Sequence, residues 1–99
     1  MPQLNRQRGK RAERMVASAF GGKRVGVLGN EDVNHPLFSI EVKARAKFAA
    51  LKWMQQCERN ATTPKIPLLV VHLHNTRHSD NLCVMRQKDL EDLLGRIKT

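Results

Sequence analysis

The stretch Ile66-Pro67-Leu68-Leu69-Val70-Val71-His72-Leu73 is almost continuously apolar. A strand of that composition is buried on both faces, so it lies centrally in a sheet with helices on either side. Pro67 falls at its start, where a missing backbone donor does least harm. Upstream, Thr62-Thr63-Pro64 closes a helical period running from about residue 48 to 60, with Ala50, Trp53, Met54, Cys57 and Ala61 on one stripe. Before that helix, residues 37–43 alternate. Phe38, Ile40 and Val42 point one way, and Ser39, Glu41 and Lys43 the other.

Further out, the polar segment 29–36, punctuated by Pro36, reads as a turn or irregular connection. A short strand is expected at about 24–28, ending at Gly29. Residues 5–20 form an amphipathic helix, with Ala12, Met15, Val16, Ala19 and Phe20 at three- and four-residue intervals. Gly21-Gly22 stops it, since glycine accepts a left-handed backbone without steric cost. Downstream, Asn75 to Asp80 is a polar loop and Leu82 to Met85 a strand. Leu90, Leu93, Leu94 and Ile97 mark a closing helix with Asp89 in its first turn. The order α-β-β-α-β-β-α predicts a single α/β domain over residues 1–99, with a mixed central β-sheet flanked by helices.

A chain of 99 residues has a modest core, and a subunit interface would add buried area. No apolar run is long enough to span a bilayer, and no h-region of a signal peptide is evident. Cys57 and Cys83 are too few for a disulfide scaffold, so the expected compartment is a reducing cytoplasm, of a bacterial or archaeal cell or of a cell hosting a phage. Eighteen Lys and Arg against nine Asp and Glu leave a net charge of +9. Residues 1–24 carry seven of the cations against one acid, Glu13, and residues 43–65 carry six against one, Glu58. The natural partner is a polyanion bound through its phosphates. One Trp, three Phe and no Tyr supply little of the stacking platform that an RNA-binding module needs.

Between the two basic segments lies the chemistry. Glu41 and Lys43 are two apart on a strand, so they share a face roughly 6–7 Å apart. Asp32 stands just upstream, close enough for the chain to bend back and bring it beside Glu41. Two converging carboxylates, with the Val42 carbonyl between Glu41 and Lys43, make a hard oxygen site suited to Mg²⁺ or Mn²⁺. Phosphodiester hydrolysis needs such an ion to polarise the phosphate and activate water, and a nearby ammonium to orient that water or stabilise developing charge.

The residues Arg8-Gly9-Lys10 with Glu13-Arg14, then Asn30-Glu31-Asp32-Val33, then Ser39-Ile40-Glu41-Val42-Lys43-Ala44-Arg45 resemble the PD-(D/E)xK nuclease superfamily. Within it the likeness is nearest to the archaeal and phage-type Holliday junction resolvases. The resemblance implies a restriction-endonuclease-like core and an active site of Glu13, Asp32, Glu41 and Lys43. It also implies a glutamine facing the site from the following helix, Gln56 or its neighbour Gln55. A proline expected before the aspartate is replaced by Glu31, which leaves Glu31 an alternative to Asp32 as first ligand. At helical spacing Glu13 has only Lys10 as a partner, because Gly9, Val16 and Ala17 cannot pair with it.

Arg6, Arg8, Lys10 and Arg11 are placed to grip phosphates beside the site, with Gly9 allowing close backbone approach. Arg45 and Lys47 act from the other side, positioning DNA rather than reading bases. Trp53 is expected in core or interface packing. His72, His74, His78 and Cys83 fit no compact zinc signature and read as a satisfied or partly exposed histidine pair; Cys57 reads as a small core residue. The expected activity is that of a Mg²⁺-dependent homodimeric endonuclease on four-way DNA junctions. A nuclease for linear, flapped or damaged DNA and a non-catalytic basic DNA-binding protein are the alternatives.

Overall fold

A computed structural model describes the backbone of residues 2–25 and 31–98, and the side chains of residues 6–25 and 31–97. Helix α1 spans Pro2–Phe20, starting on a proline whose absent N–H would have lacked a partner anyway. It begins about a turn earlier than the periodicity suggests. Its buried side is Ala12, Val16 and Ala17, whereas Met15 and Ala19, expected on the same stripe, lie at its exposed margin. The helix ends in a tied-down reversal. Gly21 takes a φ of +69°, its N–H reaches the Ser18 carbonyl, and the Gly22 N–H donates to Ala17 at 2.9 Å. Gly22 is required for a different reason: a Cβ there would sit 2.5 Å from the Asn34 carbonyl oxygen.

That contact identifies an element the sequence reading missed. Strand β1 (Lys23–Arg24) pairs antiparallel with β2 (Val33–Asn34), and β2 with β3 (Phe38–Arg45). The polar segment 29–36 therefore contains a strand rather than only an irregular connection. Two residues are too short for alternation to show, although Val33 is completely buried. The expected continuation of β1 to residue 28 lies outside the described residues.

Helix α2 (Ala50–Asn60) carries the chain from β3 to β4 (Ile66–Leu73), which runs parallel to β3. After a 3-10 turn at His78–Asp80, β5 (Leu82–Val84) pairs antiparallel with β4, and α3 (Gln87–Lys98) closes the fold. The result is a five-stranded mixed sheet in the order β1-β2-β3-β4-β5. As expected, β4 is flanked on both sides.

The two faces divide the core. Ile40, Val42 and Ala44 of β3, with Leu68 and Val70 of β4, pack beneath α1. Leu69 and Val71 pack against Met54 and Cys57 of α2, with Trp53 at the margin of the same cluster. Alternation along β3 therefore turns Ser39, Glu41 and Lys43 to the α2 side. Helix α3 makes only sparse contact with the other described elements, leaving Leu90, Leu94 and Ile97 exposed.

Candidate functional site

The register of β2 on β3 builds the centre of the site. Val33 lies opposite Ile40, so Asp32, one residue earlier, falls opposite Glu41. Its N–H donates to the Ile40 carbonyl at 3.0 Å. The Val42 N–H donates to Asp32 Oδ2 at 2.9 Å. In an extended strand the N–H and C=O of one residue point to the same edge, so the Val42 carbonyl also faces the Asp32 side. Lys43 Nζ lies 3.4 Å from Glu41 Oε2.

Glu41 is only 5% exposed, because α2 covers its face of the sheet. Its second oxygen, Oε1, is buried with no hydrogen-bond partner among the described residues. Burial first, and then the charge of Asp32, hold the Glu41 carboxyl above its ordinary range, against the opposite pull of Lys43 and the Asn60 amide. Asp32 is also raised by burial, opposed by the Val42 N–H and Lys43. Two carboxylates that burial holds against ionisation, Glu41 further by the charge of Asp32, form a centre short of positive charge.

Glu13 belongs to the same electrostatic group without joining its core. Burial and the charge of Asp32 raise its pKa. Its carboxylate, however, accepts from Arg24 Nε at 3.1 Å, a partner from β1 that helical spacing could not reveal. Glu31, the alternative to Asp32, accepts at Oε2 from Ser39 Oγ at 2.7 Å. Gln55 is exposed, and Gln56 is half-buried without a hydrogen bond among the described residues. Asn60, one turn beyond Gln56 on the same flank of α2, also bears on the Glu41 carboxyl. Cys57 donates weakly to the Ser39 carbonyl, and burial followed by the Glu41 charge pushes its thiol up to about 12. Such a thiol is an inert core group.

The cations arrange themselves around the C-terminal end of β3. Arg6 and Arg45 line one groove with His74, and Arg8 and Arg11 another with His72 and His78. Lys10 acts on Glu13, and Lys47 is exposed just past β3. Nothing lies within 4 Å of a Cβ built on Gly9, so no packing inside this chain requires glycine there.

Among the described residues no three His, Cys, Asp or Glu side chains converge into a metal cage. The centre consists of two opposed carboxylates, one main-chain carbonyl and one ammonium. No protein-family model, curated protein or solved structure matches the chain.

Proposed function

We propose that the chain is a metal-dependent endonuclease that hydrolyses DNA phosphodiesters, with the restriction-endonuclease-like core of the PD-(D/E)xK superfamily. The observation that carries this reading is the buried Glu41 carboxylate, one oxygen of which has no partner, opposite Asp32. A buried, under-compensated carboxylate is costly to fold around and is characteristic of a site awaiting a cation. Asp32, Glu41 and the Val42 carbonyl are an all-oxygen set that fits Mg²⁺, with Mn²⁺ as a substitute. Such an ion, when bound, polarises the scissile phosphate and lowers the pKa of a water.

The remaining work falls to the chain itself. The Val42 N–H orients Asp32, and Asn60 acts on Glu41 from α2. Lys43, anchored on Glu41, holds an ammonium where it can orient water or stabilise charge on the phosphorane-like transition state. Glu13, restrained by Arg24, contributes at the margin by binding a water. The arginines around β3 bind flanking phosphates and offset the repulsion between DNA and the acids.

Junction preference follows from a homodimer presenting two such sites to two strands. The exposed Leu90, Leu94 and Ile97 on the sparsely packed α3 supply apolar surface for the second copy. No described helix is long and apolar enough to cross a membrane, and the proposed setting is the cytoplasm, with its DNA.

The test is cleavage of a four-way junction, a duplex and a single strand, in Mg²⁺ or EDTA, by wild type and Lys43→Ala. The expected result is Mg²⁺-dependent cleavage favouring the junction, slowed by about 10²–10³-fold in Lys43→Ala. Equal cleavage of all three substrates would replace the junction preference with a general repair nuclease. Absence of metal-dependent cleavage by folded protein would overturn the reading.

A further inference from the structure

A second group of chemistry-bearing residues lies apart from the acidic centre, on the opposite flank of α1. Helix geometry puts Glu13 and Lys10 on the β2 flank, and Arg8 and Arg11, one turn apart, on the β4 and β5 flank. There the C-terminal ends of the parallel strands β3 and β4 open onto a cleft of about 340 Å³, the customary position for ligands in sheets with parallel strands.

The chain builds the walls of this cleft with some care. His72 and His74 are alternate residues at the end of β4, so they share a face. Asn75 then takes a left-handed φ of 67°, which reverses the chain at once. Thr76 Oγ1 ties the turn down by donating to the Leu73 carbonyl at 2.7 Å. The following 3-10 turn brings His78 back onto His72, ring on ring, with centroids 3.9 Å apart and planes within 4° of parallel. His72 Nδ1 is held by Asn81 Oδ1 at 2.9 Å, while the buried His78 Nδ1 has no partner among the described residues.

We propose that this cleft is a phosphate-binding site, separate from the acidic centre, that anchors a phosphate of the DNA strand through Arg8, Arg11 and the histidines. Its lining contains two guanidiniums, three imidazoles, an amide and a hydroxyl, and no carboxylate. That inventory selects an anion with several acceptor oxygens over a cation or an apolar ligand. Burial, His72 and Arg11 all hold His78 below its ordinary pKa, as expected of an imidazole facing positive neighbours with no counter-anion. Ala44, on the cleft wall, is three residues along β3 from Glu41 but packs on the α1 side, so the cleft and the acidic centre lie on opposite faces of the same sheet. The identification of the donor strand as DNA rests on the proposed function; the phosphate chemistry of the cleft does not.

Side-chain histidine NMR signals, followed during titration with inorganic phosphate against chloride at matched ionic strength, test the site directly. The His72, His74 and His78 signals are expected to move saturably in phosphate only, and to stop moving in Arg11→Gln. Arg11 is exposed, so that variant should fold. Equal responses to chloride and phosphate, or no response, would overturn the site.

Binding of a labelled strand by Glu41→Gln protein in EDTA then identifies the source. Adding Arg8→Gln and Arg11→Gln should weaken binding at least about tenfold and flatten its salt dependence, against little change for Lys52→Gln on exposed α2 surface. A loss confined to 5′-phosphorylated strands assigns a terminal phosphate, and an equal loss with 5′-hydroxyl strands an internal one. A loss no larger than the Lys52→Gln control overturns the anchoring of DNA. Failure of cleavage with the phosphate response intact would remove the nuclease and leave the cleft.

Discussion

Glu41 is the residue on which chemistry and stability oppose one another. Its carboxyl and that of Asp32 are raised from ordinary values of 4.5 and 3.8. In metal-free protein the folded state therefore retains protons that the unfolded chain has released. The stability linked to these two groups is complete below those ordinary values and is lost as pH rises through the raised ones. Removing the charge should reverse that loss. Glu41→Gln in EDTA is expected to melt at or above the wild-type temperature at pH 7, with the advantage shrinking toward pH 4. A neutral variant that melts well below wild type at pH 7 would show Glu41 to be a structural ion-pair member of Lys43. The neighbouring acids illustrate what residue spacing can and cannot reveal. Glu41 and Lys43 share a face because alternation puts them there, which was legible. The pairing of Glu13 with Arg24 joins a helix to a strand eleven residues on, and no local period encodes it.

At the scale of elements, the sequence showed those long enough to have a period. The apolar run of β4, the alternation of β3 and the stripe of α2 marked the β3-α2-β4 order, while the parallel pairing of its strands appears only in the structure. The strand β2 was hidden because a single buried residue, Val33, carries its core face. The only mark it leaves in sequence is indirect. Gly21 and Gly22 look like a doubled helix stop, yet they have different tasks. The first supplies a left-handed turn, and the second lets the chain approach the β2 backbone. Gly22→Ala should accordingly cost about 1–3 kcal/mol through overpacking against a carbonyl that cannot rotate away. The drop in melting temperature would be roughly 4–8 °C per kcal/mol for a domain of this size. Gly9→Ala, inside α1 with open space around it, should instead raise the melting temperature slightly. Equal effects of the two substitutions would contradict the close approach of Gly22 to β2. The flank of α2 that faces the acids carries two amides one turn apart. Gln56 and Asn60 occupy the same flank, and helix register alone does not say which one reaches Glu41.

For the whole molecule, the net charge of +9 and the acidic centre make a single argument. In the proposed function the basic surface draws in a polyanion, and the buried Glu41 with the half-buried Asp32 supplies a place for a cation. The faces of that sheet were readable from β4; the pairing that sets Asp32 opposite Glu41 and the strand ends that form the histidine cleft depend on register and were not. Exposed apolar residues on α3 leave the molecule with surface for a second copy. Leu94→Asp should shift sedimentation from that of the proposed dimer to that of a monomer while leaving the far-UV spectrum unchanged, since Leu94 is 49% exposed. A wild-type protein sedimenting as a monomer at high concentration would remove the dimer from the account. The central claim is that Asp32 and Glu41 hold a divalent cation, and calorimetric titration with Mn²⁺ or Mg²⁺ tests it most directly. The wild-type protein is predicted to give saturable binding that disappears in Glu41→Gln; folded wild-type protein that binds neither ion, or a Glu41→Gln variant that binds as well as wild type, would contradict it.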